Sequence, residues 1–555
     1  MAQSTWQEKV EHRIAQARNK TPLDWRLPSS YLEELQDTSQ SVLDIPRHCG
    51  ILSERELHIT EEFDATALLE QLASRQFSAV EVTTAFCKRA AVAQQVTSCL
   101  TETFFDTALR RAQELDEHLT MTGKTMGPLH GLPVSLKECF NVMDVPTTMG
   151  FVSFLERPPQ STNSVLVDVL LAAGAVLYVK TNIPQTMMTL DTHNNVFGRT
   201  LNPHRLNLTA GGSTGGEGAL LAMRGSLLGI GTDIAGSIRV PALCCGLVGF
   251  KPSASRVPYG GITSAARPGM AGFLPCAGPL CHSVRDAELL LKVACNSNAA
   301  DMDDNALGVP WNNEPCQELS LRVGLLPEDT MYPLHPPMQR ALRDAVAKLS
   351  AAGHEVIDVS QHMPSVSEAK EVAFRFFNMD PDRTALTHVT NGGEPFIPSL
   401  KATYDLDNAA PTPQLPELYE LNVRKSKLTT KMRQAFVNKK VDVIIGPAYQ
   451  SCAVPHDTYG VATYTVFCNL FNVRGIPTKQ SVFILTCVQT PACVMPFGMA
   501  NAAEDAQFVR DVPYTPQYKP QEVEGAPCHI QLIGRTMKDE NLMQHAWIIE
   551  KVLRS

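Results

Sequence analysis

The chain is 555 residues long, carries a formal net charge of −9, and is 44% apolar and 19% charged. That is the composition of an ordinary soluble chain long enough for one large domain or two. The acidic balance, with lysines and arginines scattered along the chain, excludes the basic face that nucleic acid requires.

No apolar run approaches the roughly 18 residues of a membrane span, and the polar, amphipathic N-terminus does not read as a signal peptide. Neither a nucleic-acid nor a membrane partner is therefore expected. The 15 cysteines are odd in number, form no CxxC pairs and fall partly inside apolar runs such as Cys244-Cys245. They read as reduced core thiols, which makes a cytoplasmic location the expectation.

Residues 1–60 read as an N-terminal helical extension. It opens on a Thr5 to Glu8 capping box with Trp6, Val10 and Ile14 spaced along one helix face. Residues 64–95 carry a single helical pattern, with Leu68, Leu69, Leu72, Val80, Val82 and Phe86 on the buried side, and a further helix is expected over 108–118. The segment GPLHGLPVSLKE (127–138) follows as loop and strand. Residues 164–182 read as helix then strand, with Gly174 at the stop. Residues 183–203 have few regular features.

Beyond residue 242, GLVGFKPS (246–253) reads as strand and turn, and GPLCHSVRDAELLLKVA (278–294) as a loop entering a helix at Ser283. A strand–helix–strand unit spans 321–326, 337–352 and 355–359, and 441–447 reads as a buried strand. The less periodic, proline-rich stretch of about 364–428 reads as a variable helical cap over a substrate pocket. Residues 529–553 close the chain as strand and helix. Alternation of this kind indicates an α/β fold.

Residues 211–242, GGSTGGEGALLAMRGSLLGIGTDIAGSIRVPA, concentrate the chemistry: nine glycines, three serines and two basic residues, Arg224 and Arg239. Glycine at this density lets backbone approach backbone and lets N–H groups converge on an anion. Ser213 sits in GGSTGG, and Ser237 sits in a glycine-flanked turn that would present its hydroxyl at the start of a short helix. A phosphate-cradling loop is the other use of such glycines, but no GxxxxGK[ST] is present.

The pattern GGSxGGEG followed by GxGTDxAGSIRxP resembles the signature of the amidase signature family of serine hydrolases, with about thirty consecutive positions in agreement. The resemblance extends over nearly the whole chain. In the N-terminal region it rests on LDIP (43–46) and GILSERELHIT (50–60), which are similar to fungal acetamidases. It implies a Ser-cisSer-Lys triad in which Ser237 is the nucleophile, Ser213 the relay after a cis peptide bond at Gly212-Ser213, and Lys137 of GLPVSLK (131–137) the base. It also implies an oxyanion hole from the N–H groups of Ile234, Ala235, Gly236 and Ser237.

The residue types suit that chemistry. A serine hydroxyl is a poor nucleophile until a base takes its proton, and lysine is a base only when neutral. Lys137 must therefore be buried, at a cost on the order of 4 kcal/mol to bring its pKa down to roughly 7 to 8. Asp233 and Arg239 flank the nucleophile and are expected to brace its loop as a structural salt link. Cys139 reads as a packed, inert thiol.

Met187, Met188 and Leu190 are candidate substrate contacts, because the corresponding segment lines the acyl channel in fatty acid amide hydrolases; the competing reading is core packing, where methionine fills gaps. The resemblance implies one α/β/α domain (61–555) around a large mixed β-sheet, with the N-terminal helical arm (1–60) appended. No His, Cys or carboxylate cluster stands at ligand spacing, so no metal is expected and no cofactor is needed; the resemblance implies a small-molecule amide substrate and leaves a homodimer open.

The implied activity is hydrolysis of a linear carboxylic amide to acid and ammonia or amine through an acyl-serine intermediate. A tailoring amidase of a secondary-metabolite pathway, an N-acyl amide hydrolase and a non-catalytic homologue are the alternatives. Residues 473–489 interrupt an otherwise continuous family-like segment; they read as a translated, unspliced intron or as a true loop insertion.

Overall fold

A computed structural model describes residues 5–34, 38–270, 272–314, 320–406, 412–473 and 488–555. Its centre is a mixed sheet of 11 strands. In chain order these are β1 (Leu100–Thr103), β2 (Pro133–Lys137), β3 (Val176–Thr181), β4 (Leu228–Asp233), β5 (Val248–Lys251), β6 (Cys276–Cys281), β7 (Arg322–Leu325), β8 (Glu355–Asp358), β9 (Val443–Gly446), β10 (Ala492–Met499) and β11 (Pro527–Ile533). They lie side by side as β1-β3-β2-β4-β6-β5-β10-β11-β9-β7-β8.

The triplet β3-β2-β4 is parallel, as is β9-β7-β8 at the other end, while the middle of the sheet is antiparallel. Every residue of β2, β3, β4, β5, β6, β9 and β11 is buried. Strands buried on both faces need helices on both sides, which makes the molecule an α/β/α sandwich.

The parallel triplet sets up the site. β2 and β4 pair in register, Val134 with Leu228 and Leu136 with Ile230, so both strands end at the same edge. Lys137 is the last residue of β2 and Asp233 the last of β4. Carboxyl ends of parallel strands are where open α/β sheets leave a crevice for ligands.

The N-terminal extension is helical: α1 (Trp6–Asn19), with the Thr5–Glu8 capping box in place, is followed by short helices at Ser29–Glu34, Ile45–His48 and Glu54–Glu61. It is tied to the sheet by charge, because Arg13 and Lys20 both pair with the buried Glu102 of β1.

Three sequence expectations need correction. The pattern over 64–95 is two helices, α2 (Ala65–Ala73) and α3 (Ala79–Thr97). Arg75 takes a left-handed conformation (φ 61°), and Ser78 starts the second helix by accepting from the Glu81 N–H at 3.1 Å. The helix expected over 108–118 is longer, α4 (Phe105–Thr122), and stops at Gly123. Residues 278–281 are not loop but part of β6, paired along its length with β4. Gly278 and Pro279 signal a turn in sequence; here a Cβ at Gly278 would stand 2.4 Å from the Phe250 carbonyl oxygen, so the glycine serves close strand approach instead.

Of the suspected insert, residues 474–487 lie outside the described residues. Its flanks, Asn472–Val473 and Val488–Gln489, pair antiparallel.

Candidate active site

Lys137 is fully buried, and its amine donates to two hydroxyls, Ser213 Oγ and Thr232 Oγ1, each at 2.7 Å. Burial lowers its pKa from the ordinary lysine value to about 8, against the opposing pull of the nearby Asp233 carboxylate. The Gly212-Ser213 peptide is cis. Ser213 leads into α5 (Gly215–Ala222), whose glycines let it press against the end of β3: a Cβ at Gly216 would stand 2.3 Å from the Asn182 amide nitrogen.

A second buried titratable group stands behind the lysine. Glu217 accepts from Ser135 Oγ at 2.5 Å and Thr181 Oγ1 at 3.0 Å, and burial raises its carboxyl to about 8. It is therefore a neutral acid at neutral pH and adds little charge near Lys137. Cys139 is buried and burial pushes its thiol up to about 11, as expected of a packed, inert thiol.

The turn between β4 and α6 (Arg239–Cys245) carries Ser237. It is held by Asp233, whose carboxylate accepts from the N–H of Gly236 at 2.8 Å and of Ile238 at 3.3 Å. Arg239 returns across the turn to Asp233 through two bonds of 3.0 Å, and reaches Gln531 Oε1 at 2.8 Å and Asn469 Oδ1 at 2.6 Å. Asn469 in turn donates to Asp233 at 2.9 Å. Burial alone would raise the Asp233 pKa; the Arg239 guanidinium outweighs it and holds the carboxyl down to about 2. From α7 (Tyr464–Leu470), Thr465 donates to the Ala235 carbonyl at 2.8 Å, closing the turn from the other side.

Ser213, Thr232, Ile234 and Ser237 open onto one cavity of about 520 Å³. Its far wall is apolar and aromatic, with Phe273, Phe376, Phe377 and Tyr404, the last three from the helical segment read in sequence as a cap. Met187 and Met188 line this cavity too. Leu190 instead lines a small annex of about 10 Å³ that shares Met187, Met188, Ile234 and Ser237 with the cavity and adds Ala235 and Ala462. Both methionines thus border the cavity, and Met187 also packs against the hydrophobic core.

The fold gathers Lys137, Ser213, Ser237 and the 234–237 turn at one edge of the sheet. Of the four N–H groups read as an oxyanion hole, that of Gly236 is turned toward Asp233. Thr232, Thr465, Asn469 and Gln531 escaped the sequence reading. Thr232 stands inside the GTD motif and was legible there; the other three come from distant segments with no local pattern to mark them.

The mixed sheet thus sets a buried amine and two serines at the carboxyl ends of its parallel strands, beside an organic-sized cavity. The sequence model of the family described as Amidase matches residues 81–543, and the chain belongs to that family. It is 36% identical to a protein of Gibberella moniliformis named Amidase, with both chains covered in full, and 34% identical to one of Aspergillus oryzae named Acetamidase, again with both covered in full. A solved structure titled Fatty acid amide hydrolase superposes with a TM-score of 0.89 at 30% identity, covering 99% of this chain and 95% of that one. This protein is an amidase, an enzyme that hydrolyses amides. Among the described residues no helix is long and apolar enough to cross a membrane.

Proposed function

We propose that the protein hydrolyses a carboxylic amide through an acyl-Ser237 intermediate, with Ser213 as proton relay and Lys137 as base. The observation that carries the reading is the Lys137 amine, buried, lowered to about 8 and 2.7 Å from Ser213 Oγ. A neutral amine takes the Ser213 proton as Ser213 takes that of Ser237, and Ser237 Oγ attacks the carbonyl carbon. The oxyanion is received by N–H groups of the turn; with Gly236 committed to Asp233, those of Ile234, Ala235 and Ser237 remain for it. The C–N bond breaks as the leaving nitrogen collects the proton back from Lys137 through Ser213. Water then attacks the acyl carbon by the same route, and the acid leaves.

The cavity selects among amides. At about 520 Å³ with an aromatic wall, it falls in the range that holds whole drug-sized molecules, and acetamide would occupy a small fraction of it. The substrate is therefore a bulky, partly apolar amide held by Phe376, Phe377, Met187 and Met188. The name of the Aspergillus oryzae relative favours a second reading, acetamide itself.

Ammonia release from acetamide, benzamide and oleamide tests the choice. The expected order of kcat/KM puts acetamide last by at least about tenfold, since each buried methylene contributes about 0.8 kcal/mol. Acetamide as the best substrate would sink the bulky-substrate reading.

A further inference from the structure

Resting on the reading of Lys137 as base, we propose that Thr232 is the positioning residue that aims the lysine lone pair at Ser213. A neutral primary amine has two N–H bonds and one lone pair. To accept the Ser213 proton, the lone pair must face Ser213, so the N–H bonds must find acceptors elsewhere in a fully buried site. Thr232 Oγ1, at 2.7 Å, is such an acceptor.

It is also the stiffest kind of anchor. Thr232 lies inside β4, paired with Ala277 of β6, next to the Asp233 that holds the nucleophile turn. Its β-branched side chain has few rotamers. The main chain is pinned again where Thr214 Oγ1 donates to the Thr232 carbonyl at 3.4 Å. With its oxygen committed to Lys137, the Thr232 hydroxyl proton is free to turn toward the Tyr259 phenol, which also lines the cavity. Both hydroxyls that touch the amine thus line the substrate cavity, but only Ser213 has a proton path to Ser237 in the proposed reaction. The role of Thr232 is direction.

The acceptor also stabilises the ammonium form more than the amine, so its loss should move the lysine pKa down further. Two signatures follow, and neither belongs to a residue that merely fills space.

The test is the rate of Ser237 labelling by an alkyl fluorophosphonate, followed against pH. This probe needs only an activated Ser237: the Oγ–P bond forms, the P–F bond breaks, fluoride leaves, and the proton goes to Lys137. Thr232→Val should lower the limiting labelling rate about 10- to 100-fold, the scale of a misdirected catalytic group, with little change in probe affinity. Its acid limb should lie at lower pH than in the wild type, and Thr232→Ser should restore both. If the valine variant does not fold, Thr232→Ala against Thr232→Ser makes the same comparison. A valine or alanine variant with wild-type rate and limb, a serine variant no better than either, or a loss confined to probe affinity overturns the proposal. A Lys137→Ala variant that still labels normally overturns the base assignment instead, and the two failures are distinguishable.

Discussion

Asp233 and Arg239 form a fully buried, two-pronged ion pair across the turn that carries Ser237, Nε to Oδ2 and Nη2 to Oδ1 both at 3.0 Å. The remaining capacity of each is filled: Asp233 by the Gly236 and Ile238 N–H groups and Asn469, Arg239 by Gln531 and Asn469. The pair therefore fixes the Ser237 turn to two distant parts of the chain, at Asn469 and Gln531. Arg239→Met leaves a carboxylate buried without its cation, and the expected loss is about 3–5 kcal/mol of stability together with most of the activity. Urea denaturation beside an activity assay checks it; a variant of unchanged stability would mean that Asn469 and the turn amides hold Asp233 unaided.

Ser237→Ala and Lys137→Ala are each expected to remove nearly all amide hydrolysis, and the double variant to be no worse than either single one, because nucleophile and base act as a unit. Ser213→Ala should retain more, since water can stand in for a relay hydroxyl. The readout is single-turnover hydrolysis with fluorophosphonate labelling beside it. Labelling that persists in Ser237→Ala would place the nucleophile elsewhere.

With Lys137 lowered to about 8, kcat/KM should rise with pH along a limb centred there and level off above it. The same shift has a stability consequence of definite sign. Between about 8 and the ordinary lysine value, the unfolded chain binds a proton that the folded one does not, so raising pH across that window stabilises the fold. Below it both states carry the proton, and the cost of a buried ammonium, about 3 kcal/mol at the usual 1.36 kcal/mol per pKa unit, is fully present. Lys137→Met should therefore be inactive yet more stable than the wild type at neutral pH, with the gain shrinking as pH climbs past 8. Denaturation curves at a series of pH values would show a constant difference if the lysine were not lowered.

Gly236 has φ +127°, and a Cβ there would stand 2.3 Å from Thr465 Oγ1, the hydroxyl that donates to the Ala235 carbonyl. Gly236→Ala meets both a backbone region that L-residues avoid and a clash with the clamp of its own turn. An expected destabilisation of about 1–3 kcal/mol and a fall in kcat far larger than any change in KM follow, measured by thermal unfolding and steady-state kinetics. Wild-type kcat in this variant would show that the turn tolerates rearrangement.

The sequence by itself determined the local chemistry and most of the elements. The glycine-dense stretch 211–242, the serines within it, Lys137 closing an apolar strand, and the strand–helix–strand alternation are all written in neighbouring residues, because turn formation and helix or strand periodicity are short-range effects. Where short-range signals mislead, the reading failed: Gly278-Pro279 looks like a loop, yet pairing with β4 makes it strand, and the pattern over 64–95 hides a break that a capping box imposes. Tertiary structure alone decided which groups meet. The parallel register of β2 on β4 brings Lys137 to Thr232, 95 residues away, and Arg239 finds Asn469 and Gln531 at separations of 230 and 292 residues. It also decided that the Gly236 N–H goes to Asp233 and that Met187 and Met188 border a cavity, Met187 while also packing against the core. A hydrogen-bond partner supplied by a distant segment leaves no periodic trace in either stretch, and the volume of a cavity is set by how far apart packed elements stop, which no single element encodes.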